Sequence, residues 1–137
     1  NIAFGVDPKD IDQFKVEKAS KIANLHEFVT NELSQQYQTK VGERGIRLSG
    51  GQRQRIGIAR ALYKQANVII FDEATSALDT TTEKAVMESI EGLSRDLTMV
   101  IIAHRLSTVQ SCDRVICLEK GSVSAEGPPH EVLPGII

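Results

Sequence analysis

The sequence predicts an α/β fold built on a parallel sheet, and three observations predict it. Val68-Ile69-Ile70-Phe71 and Thr98 to Ala103 are short continuous apolar runs, the pattern of parallel strands buried on both faces. Between them, Asp79 to Glu83 opens a helix-periodic stretch with Val86, Ile90 and Leu93 on one side. The order is therefore strand, helix, strand, and a crossover of that kind lays parallel strands side by side. Finally, 137 residues at 41% hydrophobic and 25% charged are enough for one soluble domain with a real core.

Taken in order, Asp7-Pro8 can open a helix, with Asp as N-cap and Pro at the first position. Phe14, Val16, Ala19, Ile22, Ala23, Leu25, Phe28 and Val29 follow helical spacing, so helices should cover most of residues 9–34. Gln35 to Leu48 holds Gly42 and Gly45 and reads as a loop. A helix should start at Ser49-Gly50-Gly51 and run to about Lys64, with Ile56, Ala59 and Leu62/Tyr63 as its apolar face. After the first strand, Thr80 and Glu83 have capping-box spacing at the start of the next helix. The second strand leads to His104. A helical turn near Leu106–Gln110 follows, and Arg114–Glu119 and Ser122–Glu126 flank Lys120-Gly121 as a hairpin.

Composition narrows the function. There is no Trp, aromatics make up 4%, and the net charge is −2; neither base stacking nor a generally basic surface is available, so no nucleic-acid partner is expected. Charge is concentrated locally. Lys40, Arg44, Arg47, Arg53, Arg55, Arg60 and Lys64 face one acid, Glu43. Such a block suits an anionic partner such as nucleotide phosphates, while the arginines after Gln52 serve equally well as a solvated helix face. Cys112 and Cys117 have no His or Cys nearby at metal-ligand spacing and read as reduced structural residues of a cytosolic protein. No apolar run approaches the about 18 residues of a membrane span. The chain opens without a basic, signal-like region and without Met, so the natural polypeptide is expected to begin upstream.

In open α/β sheets, ligands bind beyond the carboxyl ends of the strands. Here the first strand ends in Asp72-Glu73 and the second in His104. The Asp can hold Mg²⁺ through water, and the Glu can polarise an attacking water. Leu48-Ser49-Gly50-Gly51-Gln52 is more specific. Ser49 can cap the helix and offer its hydroxyl to a phosphate. Gly50 and Gly51 allow close backbone approach, and the free N–H groups of the helix start then face the anion. A simple capped junction would not need two glycines in the first turn, where each costs up to about 1 kcal/mol.

Leu-Ser-Gly-Gly-Gln-Arg-Gln-Arg, then Ile-Ala-Arg-Ala-Leu, then Ile-Ile-Phe-Asp-Glu-Ala-Thr-Ser-Ala-Leu-Asp, then Ile-Ile-Ala-His-Arg-Leu-Ser-Thr resembles the ATP-binding cassette (ABC) ATPase family in order and spacing, over nearly the whole chain. The resemblance implies a P-loop NTPase-like parallel sheet core with a helical signature subdomain, incomplete here. It divides the chain into 1–64, the helical part with the signature, and 65–137, with the remaining motifs and the closing hairpin. By position, Ser49, Gly50, Gly51 and Gln52 fall in the signature, which in the family contacts the γ-phosphate of ATP held by the opposite subunit. Asp72 matches the Walker B Mg²⁺ ligand and Glu73 the catalytic glutamate. Ser76, Ala77, Leu78 and Asp79 match the D-loop joining the two sites, and His104 the switch histidine. Thr39 to Gly45 resembles the exporter loop that meets the transmembrane domain. Implied with these are ATP and Mg²⁺, a second ATPase domain in a head-to-tail dimer, and the cytoplasmic face of the membrane.

One departure is large: no Gly-x-x-x-x-Gly-Lys-Ser/Thr occurs, so the phosphate-cradling loop is missing, as is the family's glutamine loop. A part of the family domain is expected, lacking on its own the main nucleotide-holding element. Against the exporter ATPase stand two alternatives, a soluble family member of DNA repair or translation and a non-enzymatic interaction module. Ser111-Cys112-Asp113-Arg114 and Gly57 to Tyr63 resemble bacterial exporters of lipid-linked sugars. His26 and His130 match no family role and read as surface or packing residues.

Overall fold

The computed structural model describes residues 1–45, 47–72, 76–92, 97–102 and 106–135, without the side chains of Arg44, Leu106 and Ser107. The chain forms two compact units, Asn1–Ile101 and Ile102–Ile137.

The first unit opens with turns instead of the expected helix. The Asp7 carboxylate accepts from the Lys9 N–H at 2.9 Å, an Asx-turn that competes with helix capping. Helix α1 spans Gln13–Ile22 and is capped by Asp12, whose side chain accepts from the Lys15 N–H. It ends in a Schellman-type closure, with Leu25 N–H donating to Ser20 O at 2.8 Å and Asn24 left-handed at φ 51°. Leu25 is fully buried, the apolar contact that accompanies this cap. Helix α2 follows at His26–Asn31. The predicted loop over 35–48 contains two short 3-10 turns, Gln36–Gln38 and Glu43–Gly45.

Helix α3, Gly50–Tyr63, packs on α1. Its apolar face includes Ile58, which is more buried than the expected Ile56. Strand β1 is Val68–Asp72, helix α4 is Thr80–Glu91 and strand β2 is Thr98–Ile102. The Thr98 N–H donates to Asn67 O at 2.9 Å, joining the starts of the two strands. They are neighbours in one small parallel sheet, as the strand–helix–strand order predicts.

The strands are buried on one face only. Ile69 and Phe71 enter the core with Val86 and Ile90 of α4, and Met99 and Ile101 pack against it. Val68, Ile70 and Val100 point outward at 54%, 65% and 46% exposure. The apolar runs have the composition for two-sided burial, but the helices of this unit meet one side.

Helix α4 starts one residue earlier than its predicted box. Asp79 is the N-cap, and Glu83, past the box position, is buried. Leu93, expected in the α4 stripe beside Val86 and Ile90, lies outside the described residues.

In the second unit, α5 spans Leu106–Gln110, and the hairpin pairs β3, Val115–Glu119, with β4, Ser122–Gly127. Lys120 and Gly121 have φ of 50° and 80°, the signs a two-residue type I′ turn requires. Arg114 pairs with Glu126 across the strand ends. Helix α6, Pro129–Val132, has Pro at its first position. Neither Cys112 nor Cys117 forms a disulfide.

Candidate functional site

The site is built around the start of α3. Ser49 is extended at φ −67°, ψ 165°, and its hydroxyl accepts from the Gln52 N–H at 3.2 Å. The Gln52 side chain returns the bond, accepting from the Ser49 N–H at 2.8 Å. This reciprocal capping box satisfies two of the donors that a helix start leaves open. The first i→i−4 bond is Arg53 N–H to Ser49 O. By helix geometry the N–H groups of Gly50 and Gly51 have no intrahelical acceptor. The Ser49 hydroxyl accepts from the cap and keeps its O–H for a second partner. Gln52, expected to meet the nucleotide, serves here as half of the box.

Gly50 and Gly51 lie against Ala77 and Leu78. A Cβ on Gly50 would lie 3.4 Å from the Ala77 Cβ, and one on Gly51 would lie 3.2 Å from the Ala77 carbonyl oxygen and 3.3 Å from Leu78. Gly51 therefore has an intramolecular cause beside the predicted approach to an anion, whereas a Cβ on Gly50 would be in ordinary contact. Gln54, to which the sequence pattern assigned no role, completes the junction. Its Nε2 donates to the Ser76 hydroxyl at 2.9 Å, and its Oε1 accepts from the Ala77 N–H at 2.9 Å. The available signal was spacing: Gln54 falls one turn after the glycines, on their face of the helix. Leu78 is buried beside it, and Asp79 leads into α4.

The Asp79 carboxylate is occupied by its cap. Thr82 donates to it from Oγ1 at 2.7 Å and from N–H at 3.0 Å. Those bonds, the hydroxyl's first, hold its pKa below the ordinary 3.8.

Asp72 sits exposed at the carboxyl end of β1. Glu73 and His104, the expected catalytic pair, lie outside the described residues. Among the described residues no group of three or more His, Cys, Asp or Glu side chains could hold a metal, and no helix is long and apolar enough to cross a membrane.

The basic block is used internally at four points: Arg47 donates to Lys40 O at 3.4 Å, and three arginines of α3 reach loop carbonyls. Arg53 donates to Leu48 O at 2.6 Å and Arg55 to Asn24 O at 2.5 Å. Arg60 donates to Asn1 O at 3.1 Å and lies 4.9 Å above the Phe4 ring. These arginines tie loop carbonyls to α3 and are neither a bare solvated face nor wholly free for phosphate. Of the unassigned histidines, His26 bonds the Tyr37 hydroxyl at 2.7 Å, and His130 is exposed.

Beside α1 and α2, a groove of about 210 Å³ is lined by Ile2, Val16, Phe28 and Tyr37, with Thr39 and Val41 at the start of the loop.

The family model described as ABC transporter matches residues 6–76. An ATP-dependent lipid A-core flippase of Pseudoalteromonas translucida (strain TAC 125) is 50% identical over 127 residues, covering 93% of this chain and 22% of the relative. ABC transporter B family member 16 of Arabidopsis thaliana is 47% identical over 97% of the chain and 11% of the relative. Among solved structures, a bacterial Atm1-family ABC exporter with ATP bound superposes with a TM-score of 0.90 at 38% identity, over 99% of this chain and 23% of that one. The chain thus spans about a fifth of the length of the flippases it matches, 22% in each of the first two.

Proposed function

The chain belongs to the ABC transporter family, and on that premise we propose that it is part of the nucleotide-binding domain of an exporter, where it takes part in ATP hydrolysis that drives transport. The observation that carries this function is the start of α3. Two glycine N–H groups without intrahelical acceptors and a capped serine with a free O–H present a phosphate-binding end. In a head-to-tail dimer that end serves ATP held by the partner domain.

Phosphoryl transfer is dominated by positioning and electrostatic stabilisation. Glu73 orients and polarises the attacking water, and His104 steadies charge on the γ-phosphate. Asp72 is a single exposed carboxylate at a strand end. Mg²⁺ is commonly held by one or two carboxylates together with substrate phosphates and waters, so this donor fits the ion. Asp72 would hold Mg²⁺ through water, and bound Mg²⁺ would neutralise phosphate charge. Ser76 to Asp79 form the segment that joins the two ATP sites.

The domain assignment follows the motifs: 1–64 as helical subdomain and 65–137 as the remaining core and hairpin. Thr39 to Gly45 is the surface offered to the transmembrane domain. The groove reaching Thr39 and Val41, of mixed polar and apolar lining, supports that assignment, because a cleft with apolar side chains beside a loop suits a partner's amphipathic helix. Through that partner the domain sits at the cytoplasmic face of the membrane.

Glu73→Gln in the full-length protein tests the mechanism. The amide keeps the shape but cannot act as a base, so turnover should fall by about 100-fold or more while ATP binding persists. Steady-state ATPase assays with equilibrium nucleotide binding read both quantities. A rate within about twofold of wild type would remove Glu73 from the catalytic role.

A further inference from the structure

We propose that Gln54 is a positioning residue that clamps the D-loop to the signature helix of the same chain, so that the two motifs move as one body when ATP is enclosed. This role rests on the ATPase function proposed above.

The clamp is defined by two bonds of opposite polarity, Nε2 to the Ser76 hydroxyl and Oε1 from the Ala77 N–H, each 2.9 Å. The backbone N–H can only donate, which fixes Oε1 toward Ala77 and therefore Nε2 toward Ser76. Ser76 and Ala77 are both exposed, so burial of their own side chains does not hold them. What anchors the segment is Leu78 beneath it, the close seat against Gly50 and Gly51, and the Gln54 amide. The seat is tight at Gly51: the Ala77 carbonyl and Leu78 stand 3.2 and 3.3 Å from where a Gly51 Cβ would be, so a side chain there requires a neighbour to give by a few tenths of an ångström.

The functional consequence follows from what each motif would touch. The start of α3 faces the ATP of the partner domain. Residues 76–79 lead from β1, with Asp72, into α4. A rigid link between them makes a displacement of α3 on meeting the partner's phosphate a displacement of the D-loop. Gln54 thereby lies on the route joining the two ATP sites without contacting either nucleotide. Transmission of this kind needs an element that moves as a unit, and a bidentate amide over a tight glycine seat supplies one.

The test uses the full-length protein as wild type, Gln54→Met, Gln54→Glu and Ser76→Ala. Two quantities are measured: hydrogen exchange of the peptide carrying Ser76 to Asp79, and kcat and KM for ATP. Methionine keeps length and helix propensity but removes both bonds. Exchange at Ala77 should rise about tenfold, and kcat should fall about tenfold with KM within about twofold. Glutamate keeps both contacts, because a carboxylate accepts from the Ala77 N–H and the Ser76 hydroxyl can turn to donate; it should stay near wild type. Ser76→Ala removes one bond without touching the helix and should raise exchange about threefold. The clamp is overturned if Gln54→Met leaves exchange and kcat unchanged, or if Gln54→Glu behaves like Gln54→Met. Exchange in α1 and α4 monitors folding; should Gln54→Met loosen the whole unit, Ser76→Ala and Gln54→Glu decide alone. Absence of ATP turnover by the wild type would sink the proposed function, while the exchange comparison would still decide the clamp.

Discussion

Gly51 and Gly57 lie on the same helix in opposite circumstances, and alanine at each should have opposite effects. A Cβ on Gly57 meets nothing within 4 Å, and the residue is exposed in the interior of α3. Gly57→Ala should therefore stabilise by about 0.5–1 kcal/mol through helix propensity and reduced freedom of the unfolded chain. A Cβ on Gly51 meets the Ala77 carbonyl at 3.2 Å and Leu78 at 3.3 Å. Both are restrained: the Ala77 N–H is held by Gln54, and Leu78 is buried. Overpacking costs about 1–3 kcal/mol and outweighs the propensity gain, so Gly51→Ala should destabilise. Urea unfolding of the two variants reads the signs directly, and stabilisation by Gly51→Ala would show that the seat is soft. At this scale the sequence marked the glycine pair as unusual, since two glycines in a first helical turn are costly. It could not show that part of the reason is a neighbouring backbone. The arginines were opaque for a similar cause. Charge density is visible in a sequence, but the carbonyls that Arg53, Arg55 and Arg60 would find at Leu48, Asn24 and Asn1 are not.

Helix α4 shows what is legible about an element and what is not. Its existence follows from the spacing of Val86 and Ile90, yet its first residue depends on which of two polar neighbours caps it. Thr80 with Glu83 has the right spacing, but Asp79 takes the position, because a carboxylate accepts from both the Thr82 hydroxyl and the Thr82 N–H. The strands divide in the same way. Apolar runs locate β1 and β2, whereas the face that the helices cover is a property of the packed unit, with Val68, Ile70 and Val100 left outside. The Asp79 cap gives a pH prediction with a definite sign. Its pKa is lowered in the folded chain, chiefly by the Thr82 hydroxyl and then by the Thr82 N–H. The stabilisation is therefore complete above the unfolded value, about 3.9, and is lost as pH falls through the lowered folded value. Protection of the Thr82 amide against exchange should drop only below about pH 4. Asp79→Asn keeps an acceptor oxygen and removes the charge, so this pH dependence should flatten. An identical profile in both proteins would mean that the cap does not titrate with Asp79.

For the whole molecule, the chain aligns with 22% of the length of the lipid A-core flippase it matches and with 23% of the exporter on which it superposes. The outward face of its sheet is apolar, a surface suited to burial by further protein. The proposed dimer then makes a prediction that no single domain can satisfy. Ser49 caps the helix whose start would face the partner's ATP, whereas Glu73 would act on the ATP of its own domain. Ser49→Arg puts a long charged side chain where the partner's γ-phosphate must enter and should block closure, leaving first-encounter ATP binding intact. Glu73→Gln should close but not hydrolyse. In a mixed dimer of the two variants, one site combines the Glu73 of the Ser49→Arg chain with the intact signature of the other. The second site carries both defects. Partial turnover should therefore return on mixing two inactive proteins, to no more than about half the wild-type rate if the two sites act independently. Co-purification through two different tags isolates the mixed species for the ATPase measurement. If turnover stays absent while the mixed dimer forms and binds ATP, the two motifs do not serve separate nucleotides. Loss of ATP binding by a monomeric full-length domain carrying Ser49→Arg would place the signature in cis, against the head-to-tail arrangement.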